Sequence, residues 1–207
     1  LGVKSQVHVE FVREFWPITE SEGQSGNSLT QKETFLVVNE GLTVKGKPLK
    51  DHLEATDHHA ALEYLEDIVE HTKKATISEH LLKSLHQIIT KTTEKEWAGK
   101  YRDSNVIIGG ADHRPPEAIT IPEHMKNLMS WLKENYKALH IVECAALFHH
   151  KLVHIHPFFD GNGRTARLAM NVLLMESGFP LVIILKNDRK KYYRVLAAAD
   201  SGNLKPL

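Results

Sequence analysis

The side chains that could do chemistry are concentrated in twelve consecutive residues, 156–167, with the sequence HPFFDGNGRTAR. His156 carries an imidazole, a group that titrates near neutrality and could take a proton from an incoming hydroxyl. Asp160 offers a carboxylate of the kind that holds Mg²⁺, an ion that in turn bridges phosphate groups. Arg164 and Arg167 lie three residues apart and could contact a polyphosphate together. This combination predicts nucleotidyl or phosphoryl transfer.

The backbone around these side chains predicts an anion-binding turn. The Gly-Asn-Gly run at 161–163 tolerates positive φ, which lets successive N–H groups point into one concavity. Pro157 disfavours helix for the residue before it, so the preceding helix should end at His154 or Ile155. A helix that starts at Arg164 would present unpaired N–H groups and the positive end of its dipole. The segment is not a Walker P-loop, because the Gly-Lys-Ser/Thr signature is missing and a helix, not a strand, comes before the loop.

The elements that position this turn are predicted to be helical nearly throughout. Thr30 and Glu33 form a capping-box pattern at one helix start, and Ser78 opens another helix. Apolar residues at helical intervals predict the remaining helices over residues 53–69, 122–136, 141–154, 164–176 and 190–199. We therefore expect one all-α domain whose central helix pair lies between residues 141 and 176.

One stretch breaks the helical pattern. Residues 105–110 form a short β-rich run that ends in a Gly-Gly turn, and Pro115 and Pro116 then exclude helix. These features predict a small β-hairpin, which would be either a surface loop or a flap over a site. Tyr101 and Arg102 precede it and either shape this segment or are purely structural.

The composition is that of an ordinary globular protein and argues against several classes of function. The 207 residues are 42% apolar and carry 26 basic and 26 acidic side chains, which disfavours a general electrostatic grip on nucleic acid or on a membrane. The sequence shows neither a signal peptide nor an apolar run of about 20 residues that could span a bilayer. A single cysteine, Cys144, suggests a reducing, cytoplasmic compartment. Because the chain begins at Leu1, we expect a fragment or an engineered chain with a truncated C-terminus.

Fourteen histidines invite a metal hypothesis for a second region. His150 and His154 share a helix face, but the interval between them lacks the glutamate of the His-Glu-x-x-His zinc motif. We therefore predict that His149, His150 and His154 are partly buried or surface helical residues, not zinc ligands. Cys144 is predicted to lie in the core, and the basic residues within 186–191 are predicted to form a solvated face.

The segment 156–167 resembles the motif of the Fic family, His-Pro-Phe-x-Asp/Glu-Gly-Asn-Gly-Arg-x-x-Arg, at each of its fixed positions. Residues 106–109 and 191–193 also fall where Fic proteins have their equivalents. The chain is most similar to Fic adenylyltransferases whose inhibitory segment precedes the core. The resemblance implies an all-α, Fic-type helical bundle with a β-hairpin flap. It also implies an N-terminal segment, residues 1–50, that contains the inhibitory motif, and a catalytic core, residues 51–207.

Fic adenylyltransferases transfer AMP from ATP to a Ser, Thr or Tyr hydroxyl of a target protein, and pyrophosphate leaves. The resemblance implies that His156 is the base that deprotonates the hydroxyl, that Asp160 holds Mg²⁺, and that Arg167 holds the γ-phosphate. The other residues that it places in the ATP site are Gly161, Asn162, Gly163, Arg164, Thr165, Ala166, Val106, Ile107, Ile108, Gly109, Tyr192 and Asp200. Relatives often carry Asn at the position of Asp200.

The partners implied by the resemblance are ATP, Mg²⁺ and a target protein. The target would pair with residues 106–109 as an added strand, and the chain itself is one of the expected targets. No nucleic acid and no membrane is expected as a partner, and a homodimer is a further option.

An inhibitory helix in such proteins carries the pattern Ser/Thr-x-x-x-Glu-Gly/Asn, whose glutamate pairs with the γ-phosphate arginine. Ser21, Gly26 and Asn27 match this pattern, but without a gap Ser25 occupies the position of the glutamate. A hydroxyl cannot neutralise an arginine, so this alignment predicts an adenylyltransferase released from inhibition. A rival alignment with a local insertion puts Glu22 in that position and predicts intact inhibition.

Two other functions fit the same residues. The same fold could use another phosphate-bearing donor, such as UTP, GTP or a CDP-linked metabolite. The chain could instead be an inert module that binds a partner through the flap and only senses nucleotide.

Overall fold

The computed structural model describes residues 17–71 and 77–207. Within them it has eight α-helices and no β-strand, so the expected all-α architecture is confirmed. The helices are α1 (17–25), α2 (Gln31–Val38), α3 (Leu49–His71), α4 (Glu79–Thr90), α5 (Ile121–Asn135), α6 (Ile141–Ile155), α7 (Asn162–Glu176) and α8 (Arg189–Asp200). Short 3₁₀ turns, Ala118–Thr120 and Lys186–Asp188, precede α5 and α8. None of the helices in this part of the chain is both long and apolar enough to cross a bilayer.

Helices α6 and α7 form the centre of the domain, as their positions in the sequence predict. The residues of α7 are almost all buried from Asn162 to Leu174, and the helix packs against α6, α4 and α3. Cys144 lies in the core, as predicted. Other core residues of these helices are Phe148, Leu152, Leu168, Val172, Leu82 and Leu85. Because α7 is enclosed on nearly all sides in a close-packed core, its N-terminal residues have a fixed position.

Side-chain caps fix the starts of α2 and α4. Thr30 Oγ1 accepts a hydrogen bond from the Glu33 N–H at 3.4 Å, and the Glu33 carboxylate accepts one from the Thr30 N–H at 2.8 Å. This is the capping box that the sequence predicts. Ser78 Oγ caps α4 by accepting from the Leu81 N–H at 3.2 Å. Both caps pair N–H groups that a helix leaves open at its start.

The segment between α4 and α5 differs from the prediction. Residues 105–110 form no strand, and the β-hairpin is replaced by a loop with a turn at Ile108, whose carbonyl accepts from the Ala111 N–H at 3.3 Å. The prolines at 115–116 explain part of the difference, because they have no N–H to donate to a strand ladder. Ile107 is 74% exposed at the tip of this loop.

Candidate active site

Helix α6 ends in a left-handed residue, His156. Its φ of 51° and ψ of 58° make it the only non-glycine residue with positive φ in the described ranges. Pro157 disfavours the right-handed helical conformation for His156, so α6 stops at Ile155, as the sequence predicts. Such a conformation is costly for a residue with a β-carbon and is concentrated at functional sites.

The His156 imidazole is neutral at physiological pH. Burial lowers its pKa to about 4, and the neighbouring Arg102 and His113 act in the same direction. The Val153 carbonyl and the Asp160 carboxylate oppose this shift only in part. A neutral imidazole has a free lone pair, so His156 is in the protonation state that a general base requires.

Asn162 and Gly161 shape the motif turn. The Phe158 N–H donates to Asn162 Oδ1 at 2.9 Å, and Asn162 Nδ2 donates to the Phe158 carbonyl at 2.9 Å. Gly161 has a φ of 72°, and a β-carbon there would lie 3.0 Å from Thr90 Cγ2, so the position favours glycine. Helix α7 already begins at Asn162, two residues before the predicted start at Arg164, because the Asn162 side chain closes the turn onto the helix.

The N-terminus of α7 is suited to bind an anion. No side chain caps it, which leaves its first N–H groups and the positive end of its dipole for a ligand. A β-carbon on Gly163 would lie 3.1 Å from Arg167 Nη1, so this glycine leaves room for the guanidinium beside the first turn. Backbone donors and an arginine therefore meet at one end of α7.

Arg164 is a buried cation at the base of this site. Its side chain is 1% exposed, and its guanidinium lies 3.4 Å from Asp160, 3.6 Å from Glu22 and 3.6 Å from Glu54. Burial lowers the pKa of Arg164, but these carboxylates outweigh burial and raise it. Burial also raises the pKa of Asp160, but Arg164 and the Gly161 N–H outweigh it and hold that pKa below its usual value. Asp160 is therefore a carboxylate at neutral pH.

The Asp160 carboxylate is the accessible member of this charge cluster. Its side chain is 44% exposed, and the Oδ2 atom lies 3.6 Å from Lys50 Nζ. Lys50 is itself 55% exposed and also pairs with Glu54 at 3.7 Å. A long, solvated lysine side chain can move away at little cost, so Asp160 is open to a cation.

Arg167 is held by α1. Its Nε donates to Ser21 Oγ at 3.0 Å, and its Nη2 donates to the Ser21 carbonyl at 2.9 Å and to Ser25 Oγ at 3.3 Å. All three acceptors are neutral. No carboxylate of residues 17–71 or 77–207 forms an ion pair with Arg167, so no ion pair in these ranges neutralises its charge.

Helix α1 ends in a Schellman motif that explains the Gly-Asn pair after Ser25. The Gly26 N–H donates to the Gly23 carbonyl at 3.3 Å, the Asn27 N–H donates to the Glu22 carbonyl at 3.1 Å, and Gly26 has a φ of 105°. The Asn27 amide then donates to the Glu54 carboxylate of α3 at 3.2 Å. Gly26 and Asn27 thus stop the helix and anchor its end beside the motif.

The two candidates for the inhibitory position have different partners. Ser25 contacts Arg167, whereas Glu22 pairs with Arg164 at 3.6 Å and with His58 Nδ1 at 2.8 Å. Burial raises the pKa of Glu22, but Arg164 and His58 outweigh it, so Glu22 is ionised. Glu22 therefore neutralises the buried arginine of the motif.

Tyr192 lies on the Arg167 side of the site. Its hydroxyl is 3.1 Å from His149 Nε2. Burial raises the pKa of Tyr192 although Arg167 opposes the shift, and burial lowers the pKa of His149 to about 3. Both side chains are therefore neutral at physiological pH.

Asp200 is not joined to the motif by hydrogen bonds in the described part of the chain. Its Oδ1 lies 2.9 Å from His150 Nε2 and 2.8 Å from His154 Nδ1. Thr165 and Ala166 are both fully buried in α7. Of the flap residues, Val106 and Ile108 are half-buried, whereas Ile107 and Gly109 are exposed.

Arg102 connects the loop to the motif. Its Nε donates to the His156 carbonyl at 2.9 Å, and its Nη1 and Nη2 donate to the carbonyls of Ser104 at 2.9 Å and Pro116 at 2.6 Å. The side chain is buried. Arg102 thus fixes both ends of the loop and the backbone of His156. Of the two alternatives for this residue, the structure favours a role in shaping the segment.

His86 is a positioning residue that the sequence did not reveal. Its Nδ1 accepts from the Gly99 N–H at 2.9 Å, so its Nε2 carries the proton and donates to the Asp160 carbonyl at 3.0 Å. The ring stacks on Phe158 with the centroids 3.7 Å apart. His86 therefore supports the motif turn from α4.

We expect the free energy of unfolding to fall as the pH drops from 7 to 5. Burial lowers the pKa of His86 and of His156 to about 4 and that of His149 to about 3, whereas each binds its proton near pH 6.5 in the unfolded chain. The unfolded state therefore binds more protons in this range, and stability decreases by up to about 1.4 kcal/mol per group and pH unit. Urea unfolding at several pH values measures this slope.

One variant makes the pH experiment specific. His86→Gln removes one of the buried imidazoles and should reduce the slope. Glu54, whose pKa is raised by burial, opposes the trend. A stability that is constant between pH 7 and 5, or equal slopes in parent and His86→Gln, would contradict the expectation.

The geometry defines a helical domain in which an uncapped helix N-terminus, two arginines and a neutral imidazole belong to one turn and the helix that follows it. The Fic/DOC family profile matches residues 76–174. The protein adenylyltransferase Fic of Drosophila willistoni and that of Drosophila melanogaster are each 38% identical over 193 residues, which are 93% of this chain and 38% of either protein. The chain belongs to the Fic/DOC family. It spans about two fifths of the length of these curated relatives.

Solved structures show the same fold. Fic-1 from C. elegans superposes with a TM-score of 0.84 at 31% identity, over 93% of this chain and 57% of that one. A Fic domain containing signaling protein from Bacteroides thetaiotaomicron superposes with a TM-score of 0.84 at 29% identity, over 98% of this chain and 76% of that one.

Proposed function

We propose that this chain transfers AMP from ATP to a Ser, Thr or Tyr hydroxyl of a protein, itself included. The observation that carries the proposal is the neutral, buried imidazole of His156 beside the uncapped N-terminus of α7. The curated relatives named protein adenylyltransferase support the same reaction.

In the proposed reaction His156 accepts the proton of the target hydroxyl while that oxygen attacks the α-phosphorus of ATP. The bond from the α-phosphorus to the bridging oxygen of the β-phosphate breaks, and pyrophosphate leaves with the electron pair. The N–H groups at the start of α7 bind phosphate oxygens, and Arg167 binds the γ-phosphate. Arg164 supports this region through its ion pair with Asp160, at a distance of 3.4 Å.

Asp160 is the residue that would hold Mg²⁺. Its carboxylate is ionised and partly exposed. Of the two cations beside it, Lys50 is solvated, and the charge of buried Arg164 is shared with Glu22 and Glu54. Such a carboxylate fits Mg²⁺, which takes one or two carboxylates and completes its shell with phosphates and water. The ion would neutralise phosphate charge. Asp160 itself stays fixed, because His86 and Gly161 hold its backbone and carboxylate.

The loop at residues 106–109 is the proposed docking site for the target. Within the described ranges its backbone makes no strand, and Ile107 is exposed, so an extended target segment could pair with it as an added strand. Side chains contribute little to such pairing.

We further infer that Ser25 leaves the enzyme without its inhibitory clamp. The hydroxyl contacts the proposed γ-phosphate arginine but brings no charge to it. A phosphate competes more easily with neutral acceptors than with a carboxylate, because a buried ion pair is strongly held.

Intact-mass measurement of the purified chain with Mg²⁺ and one nucleotide at a time tests the proposed reaction. We expect a mass increase of one AMP group with ATP and a smaller or no increase with UTP, GTP or a CDP-linked metabolite. If one of the other donors modified the chain and ATP did not, that donor and not ATP would be the substrate. Nucleotide binding without any modification of the chain or of added lysate proteins would favour the inert module.

A further inference from the structure

Four polar side chains outside the motif converge from three elements. They are His113 of the loop, His150 and His154 of α6, and Asp200 at the end of α8. Asp200 Oδ1 lies 2.9 Å from His150 Nε2 and 2.8 Å from His154 Nδ1. The rings of His113 and His154 stack with their centroids 3.9 Å apart. One nitrogen or oxygen each of His113, His154 and Asp200 lies within 4.8 Å of the other two.

The hydrogen bonds determine which nitrogen of His113 is available. His113 Nε2 lies 2.8 Å from the His154 carbonyl, which can only accept, so Nε2 carries the proton and Nδ1 keeps its lone pair. Histidines that bind metal ions commonly donate their other ring N–H to a backbone carbonyl in this way. His113 is therefore oriented as a metal ligand would be.

The charge of the cluster also suits a cation. Asp200 is the only carboxylate of the described residues that forms an ion pair with these imidazoles. Two imidazole nitrogens converge on the single atom Oδ1, which places several donor atoms around one point.

We propose that His113, His154 and Asp200 bind one divalent transition-metal ion, which displaces to water the proton that His154 Nδ1 donates to Asp200, with His150 holding the carboxylate in place. Two imidazoles and a carboxylate are a ligand set of Zn²⁺ that leaves a fourth position for water. A tetrahedral site with bonds of about 2.1 Å has edges of about 3.4 Å. His154 Nδ1 and Asp200 Oδ1 are 2.8 Å apart, and the ligand atoms of all three residues lie within 4.8 Å of one another. The edge of an ideal tetrahedral site, about 3.4 Å, falls between these two distances.

This site differs in chemistry from the one proposed at Asp160. Mg²⁺ prefers oxygen ligands, whereas imidazole nitrogens favour zinc and its neighbours. The proposal departs from the sequence-based prediction that His154 is not a zinc ligand. The helical pattern of α6 alone does not reveal the other ligands, because His113 and Asp200 lie 41 and 46 residues from His154 along the chain. A bound ion joins the loop to α6 and α8 and so restrains the loop.

A zinc titration of the metal-free chain against a chromogenic zinc chelator tests the site. We expect one tightly bound equivalent, and at least tenfold weaker binding in both His113→Ala and Asp200→Asn. Hydrogen exchange of residues 105–113 should slow when zinc is added to the parent chain, and should not change in Asp200→Asn. Neither readout involves nucleotide transfer. A chain that binds no zinc would therefore leave the proposed function intact, and a chain that transfers no AMP would leave the proposed metal site intact.

The control is His71→Ala, which removes half of an exposed His–Asp pair that has a separation of 3.1 Å to Asp67. This variant should bind zinc as the parent does. Thermal melting without metal shows whether each variant is folded, and the nearly isosteric Asp200→Asn decides the outcome if His113→Ala does not fold. Absence of a tight equivalent, parental affinity in both site variants, or unchanged loop exchange despite binding would each overturn the proposal.

Discussion

His156→Ala should reduce the rate of AMP transfer by about 10²–10⁴-fold, the range that a positioned general base contributes. ATP affinity should change little, because the proposed phosphate contacts come from α7 and Arg167. Labelled ATP measures the rate of self-modification, and isothermal titration with a non-hydrolysable ATP analogue measures binding. Retained transfer in this variant would exclude His156 as the base.

His156→Asn is the matched control for this experiment. Residue 156 has a φ of 51°, a conformation that asparagine adopts more readily than alanine. Asparagine therefore preserves the turn while it removes the basic lone pair. If His156→Asn is as inactive as His156→Ala and melts at the parental temperature, the loss is chemical and not structural.

Ser25→Glu should suppress self-modification at least tenfold. A glutamate at this position would reach the Arg167 guanidinium, which lies only 3.3 Å from the Ser25 hydroxyl, and would replace a neutral acceptor with a carboxylate. ATP would then have to displace a charge-assisted hydrogen bond before its γ-phosphate could bind. Labelling that stays as high as in the parent would contradict the inference.

Two further variants show whether the effect of Ser25→Glu comes from the charge of the new side chain or from its size, and whether Glu22 is the inhibitory residue instead. Ser25→Gln has nearly the same size as the glutamate variant without its charge, so it should reduce labelling less than Ser25→Glu does. Glu22→Gln tests the other alignment, because a clear increase in labelling would identify Glu22 as the inhibitory group. We expect no increase, since Glu22 pairs with Arg164 and His58 and not with Arg167.

The sequence predicted the local features of the site well. The end of α6 at Ile155 follows from Pro157, and the capping box at Thr30 follows from the spacing to Glu33. These features depend on contacts within a few residues, which a pattern records directly. The pattern predicts the start of α7 two residues late, because the role of the Asn162 side chain in closing its own turn is not visible in composition.

The supporting contacts could not be predicted, because they join residues far apart in the chain. His86 and Asp160 are separated by 74 residues, and Arg102 and His156 by 54. No periodicity relates such pairs, and they meet only once α4, α6 and α7 are packed. The predicted hairpin was wrong for a related reason: β-rich composition at 105–110 does not reveal that the ends of the segment are held by hydrogen bonds from buried Arg102 to the carbonyls of Ser104 and Pro116, and not by a strand ladder.

Arg102 has an evolutionary consequence. Its guanidinium donates hydrogen bonds to the carbonyls of Ser104 and Pro116, at the two ends of the loop, and to the carbonyl of His156. The stretch between Ser104 and Pro116 can thus gain, lose or exchange residues while the imidazole stays in register. Divergence in the proposed docking loop would thereby leave the proposed catalytic imidazole in place.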